Sequence, residues 1–193
     1  MAEEARLERF HPLLVQTLLN SVRRFEPDFY AHLCRAFHLD ADRMIGLFRE
    51  VEASGPGQLM PLLRELRAHQ SYHDIVYLAG RNSLHAYLEL EQVRIKPGAH
   101  DAGRFAAMAK QLLPSFTGLA SFSHMLKGEL HFFELRDSVF AREATHDNPT
   151  CGYYAGFLSE LGTYFTEGAA VASEVRCCAN DPEAVSCLVR VSL

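Results

Sequence analysis

Tryptophan is absent from the 193 residues, and glycine (12) and proline (8) are sparse. With 48% hydrophobic and 22% charged residues, the composition excludes collagen-like, low-complexity and disordered chains. An excess of positive charge is missing as well. The formal net charge is −5, and Arg23–Arg24 is the only adjacent basic pair, so the electrostatic footprint of a nucleic-acid or anionic-membrane binder is lacking. No apolar run reaches the roughly 18 residues of a membrane span. The first residues are acidic and give no basic lead-in to a signal peptide, so the expected compartment is the reducing cytoplasm. Phosphate-cradling glycine loops, His-Glu-x-x-His pairs and paired catalytic carboxylates are all missing, which removes support for nucleotide chemistry and zinc-peptidase chemistry.

What the chain does have is helical periodicity. Phe10, Leu13, Leu14, Leu18, Val22 and Phe25 recur every three or four positions, and Phe29, Leu33 and Phe37 form a second short stripe. Met44, Ile45, Phe48 and Val51 form a third, before a loop at Gly55, Pro56 and Gly57. Leu59 to Leu66 and Tyr72 to Leu90 follow, the latter with Ser71 as cap. Residues 102–113 and 115–127 read as two helices separated by Pro114, with Gly128 closing the second. The period then changes: Glu129 to Arg136 has the length of a strand, Cys151 to Phe165 returns to helix, and strands near Ala170–Cys178 and Ala184–Val191 flank a turn at Asn180–Pro182. The expected fold is α+β, a small antiparallel sheet with helices on one face. Residues 1–54 form a helical extension suited to dimerisation or a partner, and residues 58–193 form the main domain.

The five cysteines are Cys34, Cys151, Cys177, Cys178 and Cys187, and four of them fall in the last 43 residues. Cys177 and Cys187 are symmetric about Pro182, so an antiparallel hairpin sets them opposite each other, within about 5 Å. Glu174 precedes Cys177 by three positions. Cys151 opens a helix, where the dipole favours a thiolate. Three thiolates and a carboxylate make a tetrahedral set for a borderline-soft ion. A simple core role and a redox pair stay open beside it: Cys187 alternates with Val185, Val189 and Val191, and strict strand alternation puts Glu174 on the side of Cys178 rather than Cys177.

The runs Cys151-Gly-Tyr-Tyr-Ala-Gly-Phe157, Glu174-Val-Arg-Cys177 and Cys187-Leu-Val-Arg-Val191 resemble the C-terminal half of the 4-vinyl-reductase domain family. That family includes the sensor domains of phenol- and xylene-responsive activators and is related in fold to a subunit of vesicle-tethering complexes. His124-Met-Leu-Lys-Gly128, together with Ser138 and Ala141, extends the likeness upstream. The resemblance implies one zinc ion on Cys151, Glu174, Cys177 and Cys187, structural because four protein ligands leave no open position; Cys178 is a rival ligand. It also implies an aromatic effector between helices and sheet. His124 falls on the position that holds the effector hydroxyl in the relatives, and Leu135 falls where they carry tryptophan, which makes the expected site more apolar. Phe122, Phe132, Phe133, Tyr153, Tyr154 and Phe157 are its expected lining. The implied function is a stand-alone sensor of a small hydrophobic or aromatic molecule, regulatory rather than catalytic. A scaffold or lipid-chain-binding adaptor, and an enzyme of tetrapyrrole or aromatic metabolism, are the alternatives.

Overall fold

A computed structural model describes residues 11–38, 56–95, 101–118, 121–142, 150–166, 168–181 and 183–193. The elements in chain order are α1 (Pro12–Phe25), α2 (Pro27–Ala36), α3 (Pro56–Arg67), α4 (Tyr72–Leu90), α5 (Ala102–Thr117), β1 (Ser121–Lys127), β2 (Leu130–Arg136), α6 (Gly152–Thr163), β3 (Val171–Arg176) and β4 (Cys187–Ser192). The strands form one antiparallel sheet in the order β1-β2-β4-β3. The α+β expectation therefore stands. The short helix read around Met44–Val51 and the turn read at Lys96–Gly98 lie outside the described residues.

Local chemistry explains most boundaries. His11 caps α1 by accepting the Leu13 N–H on Nδ1 at 3.2 Å, and Pro12 takes the first turn, where its missing N–H costs nothing. Asp101 caps α5 through the Arg104 N–H at 2.9 Å. Ser71 precedes α4 but makes no cap bond; its hydroxyl donates instead to Glu26 at 2.7 Å, joining α4 to the α1–α2 corner. Pro56 begins α3 rather than belonging to a loop.

One region differs from the sequence reading. The segment read as a helix over 115–127 is the end of α5 followed by β1. Pro114 removes one ladder bond but does not stop α5, which runs on to Gly118 in the left-handed region (φ 61°), whose N–H closes on the Pro114 carbonyl. The chain re-emerges as Ser-Phe-Ser-His-Met-Leu-Lys with alternating exposure. Gly128, at φ +62°, turns the β1–β2 hairpin rather than ending a helix.

The core lies between the sheet and the helices. His131, Phe133 and Leu135 of β2 and Cys187, Val189 and Val191 of β4 face inward, while Phe132, Glu134, Leu188 and Arg190 alternate with them. Phe105 of α5 meets His131, Phe133 and Phe165 edge-on. Almost all of α6 is buried, and it crosses α4 backbone to backbone. A Cβ at Gly156 would stand 1.9 Å from the Tyr77 carbonyl oxygen, and one at Gly80 would stand 2.0 Å from that of Tyr153. Leu13, Leu14, Leu18 and Val22 of α1 enter the same core as α4 and α6, and the Thr17 and Ser83 hydroxyls meet at 2.6 Å.

Candidate metal centre

Three elements deliver four side chains to one point. Cys151 precedes α6, Glu174 lies on β3, Cys177 follows β3, and Cys187 opens β4. One ligand atom from each lies within 4.8 Å of all the others. The sulfurs of Cys151 and Cys187 are 3.2 Å apart and those of Cys187 and Cys177 3.8 Å apart, and all are free thiols. Cys178 stands at the rim, half-buried, with its sulfur 3.1 Å from that of Cys187.

A β-bulge makes this convergence possible. From Val171↔Ser192 to Glu174↔Val189 the register is regular, but Arg176 pairs with Leu188, so Val175 is an extra residue on β3. Alternation alone would send Glu174 and Cys177 to opposite faces. The inserted residue resets it, and both reach the cluster. Beyond the bulge the register leads Cys177 to Cys187, the pair expected from symmetry about Pro182. Their connection, residues 178–186, is nine residues long rather than a tight hairpin turn. It is held by the Asn180 and Asp181 N–H groups on the Cys177 carbonyl (3.3 and 3.1 Å) and by Arg176 on Ser186 (2.9 Å).

The three cluster sulfurs belong to buried residues, and the groups shift one another's protonation. Burial pushes the Cys151 thiol well above its ordinary range. The helix-dipole expectation of a thiolate is thus overridden, because desolvation outweighs a dipole term of a few tenths to one kcal/mol. Burial, and then the charge of Cys177, push the Glu174 carboxyl up to about 9. The Cys177 thiol moves the other way, held down by hydrogen bonds from Cys151 and Cys187. One Glu174 oxygen accepts the Cys151 N–H at 2.9 Å; the other, Oε1, is buried with no hydrogen-bond partner. A divalent cation would supply that oxygen with a partner and the sulfurs with a counter-charge, so the donor set fits a metal ion.

Hydrogen bonds to sulfur surround it. The Thr150 N–H and hydroxyl reach Cys177 Sγ at 3.5 and 3.2 Å, Ser138 Oγ reaches Cys151 Sγ at 3.1 Å, and the Cys178 N–H reaches Cys187 Sγ at 3.4 Å. Such groups orient ligands and stabilise thiolates.

The aromatic residues singled out from the sequence divide. Phe133, Leu135, Tyr153, Tyr154 and Phe157 are fully buried, with Tyr153 and Tyr154 packed on Phe140 and Phe157 packed on Phe116. Phe122 stacks on Phe133. His124 lies on β1 rather than at a helix end, stacked on His131, with its Nε2 3.0 Å from His131 Nδ1. Phe132 sits on the other face of the sheet, under Lys127. The Tyr153 hydroxyl, near Ser83, and the Tyr154 hydroxyl, near Ser138 and Thr117, make no well-formed hydrogen bond.

No family model and no curated protein matches the chain. Solved structures do. The fold is that of the H-NOX domains. A doubly substituted Tt H-NOX superposes with a TM-score of 0.56 at 13% identity, covering 94% of this chain and 93% of that one. An H-NOX protein from S. oneidensis in the Fe(II) ligation state gives 0.55 at 13% identity, with 94% of each chain covered. A structure on heme distortion in the H-NOX family gives 0.56 at 13%, with 93% of each. The phenol-responsive sensory domain of the transcription activator PoxR, with phenol, matches at a TM-score of 0.47 and 14% identity over 69% of this chain and 71% of that one. Within this H-NOX-like fold, Thr150 and the bulge at Val175 are the parts of the cluster that sequence reasoning missed. Thr150 adjoins Cys151 but carries no spacing signal, and a bulge leaves none.

Proposed function

We propose that this chain is a small-molecule sensor domain of the 4-vinyl-reductase type, its sheet and central helix clamped by one structural zinc on Cys151, Glu174, Cys177 and Cys187. The observation that carries the reading is the closed four-donor cluster. Tetrahedral zinc with Zn–S bonds of about 2.3 Å sets sulfurs about 3.8 Å apart; Cys177 and Cys187 stand at 3.8 Å, and Cys151 and Cys187, at 3.2 Å, would move apart on binding the ion. Four protein donors leave no place for water or substrate, which favours a binding module over a metalloenzyme. Three thiolates select zinc over magnesium or calcium. Cys178 completes no part of the set.

The ligand is a small hydrophobic or aromatic molecule taken up among Phe122, Phe133, Leu135, Tyr153, Tyr154 and Phe157, with His124 as polar anchor. The Tyr153 and Tyr154 hydroxyls, buried beside the Ser83, Ser138 and Thr117 hydroxyls without a well-formed bond, support this reading as polar groups that a ligand oxygen would meet. The rings now fill one another's space, so a ligand enters by parting them. Burial signals would leave through the exposed face of α1 and α2, where Phe25 is 46% exposed beside Arg23 and Arg24, toward a second copy or a partner protein.

Heme, named for the H-NOX structures, finds no slot in the interior between α5, α6 and the sheet. A porphyrin needs a flat apolar slot and an axial ligand aimed at its centre. Here the interior between α5, α6 and the sheet is filled by Phe105, Phe116, Phe133 and Phe157 in ring-to-ring contact, and the His124 and His131 rings are bonded to each other.

Native mass spectrometry against simple phenols, alkylbenzenes and fatty acids tests the reading. Retention of an aromatic, lost in His124→Ala, is expected. Binding of fatty acids alone would favour the adaptor alternative, and aromatic binding indifferent to His124→Ala would remove the anchor.

A further inference from the structure

A cavity of about 730 Å³ opens on the other side of α6, lined by Arg67, His69, Tyr72, His73, Tyr77 and Glu174 among others. None of the aromatic residues around His124 reaches it. Its volume lies within the roughly 300–1,000 Å³ typical of small-molecule sites. Arg67, at the end of α3, is 92% buried at this cavity. Its Nη2 donates to the Val139 and Phe140 carbonyls at 3.3 and 3.0 Å, and its Nε has no partner. Among the described residues no ion pair reaches it. A buried guanidinium whose bonds go only to neutral groups, the two carbonyls and the Tyr72 hydroxyl, is an uncompensated charge, and a buried cation without a counter-charge is costly. Glu174 faces the same cavity, but one of its oxygens is held by the Cys151 N–H and its carboxyl belongs to the sulfur cluster.

We propose that this cavity is a second ligand site, taking a small aromatic carboxylate whose anionic end pairs with Arg67. The planar guanidinium matches a carboxylate better than a spherical anion. Tyr72 is fixed by its hydroxyl on the Thr150 carbonyl at 2.9 Å, and His69 is stacked on Phe29 at 4.3 Å, so two rings stand pre-positioned beside the cation. Tyr77 and His73 supply further flat surface for the ring of the ligand. Because Thr150 also bonds Cys177, a ligand bearing on Tyr72 would press on the metal cluster through one residue.

The test uses the full chain and isothermal titration with benzoate, salicylate and indole-3-acetate, each beside its primary amide. At least one acid is expected to bind, its amide at least tenfold more weakly, and Arg67→Gln is expected to lose the acid by tenfold or more. Arg67 also ties down a loop, so Ala68→Phe provides a second arm. It changes an exposed residue that lines the cavity, and should block the acid while leaving the melting temperature unaltered. Acid and amide binding equally, inorganic phosphate displacing the acid at equal concentration, no acid binding at millimolar levels, or Ala68→Phe leaving affinity intact would each overturn the proposal.

Discussion

Glu174 Oε1 and the sulfurs of Cys151, Cys177 and Cys187 are the atoms on which the metal reading turns, and their substitutions should separate cleanly. Cys151→Ala, Cys177→Ala and Cys187→Ala are expected to abolish bound zinc, whereas Cys178→Ala keeps it, because the Cys178 sulfur lies outside the four-donor set. Thr150→Val removes the hydroxyl that reaches Cys177 at 3.2 Å; metal affinity should fall by about tenfold in a chelator competition, the low end of what outer hydrogen-bond partners contribute. That these four side chains would converge was legible because cysteine is rare and clustered near one turn. Arg67 was not legible, since nothing in a sequence distinguishes a buried arginine from an exposed one at the end of a helix.

At the scale of elements, the α4–α6 crossing and the sheet carry the most consequence. Gly156→Ala places a methyl 1.9 Å from the Tyr77 carbonyl, and since both obstacles are backbone, the helices must separate. A loss of about 3 kcal/mol is expected, the upper end of overpacking costs, read as a fall of roughly 5–10 °C in melting temperature. The glycines looked ordinary in the sequence, because a close approach of two helices is a property of the pair. The β1–β2 hairpin gives a pH signature. Burial, and then the neighbouring Lys110 and His124 charges, lower the pKa values of His124 and His131 respectively. A lowered histidine pKa means that the unfolded chain binds the proton more readily, so this contribution is intact above pH 6.5 and is lost as pH falls below it. Thermal melts should show that acid-side loss, and His131→Gln should diminish it. Ser121–Lys127 escaped the sequence reading because Pro114 looked like the break that Gly118 in fact makes, and the bulge at Val175 escaped because one extra residue leaves no trace in composition.

For the whole molecule, α1 through β4 share one core, with α6 buried at its centre and the cysteine cluster joining the N-terminal end of that helix to the β3–β4 edge. No helix among the described residues is long and apolar enough to cross a membrane. The α+β class and most helices could be read from periodicity, because each buries one stripe. How α1 and α2 join the same core could not, since their partners lie 60 to 100 residues away in the chain. A clamp of this kind sets global stability, so a strong chelator should lower the melting temperature of the wild type while leaving that of Cys187→Ala unchanged. The most direct measurement is elemental analysis of protein purified under reducing conditions, without added metal. The account predicts about one zinc per chain, absent from the three single cysteine variants and present in Cys178→Ala. Wild-type protein that folds with reduced thiols and no metal, or single variants that keep their zinc, would contradict it.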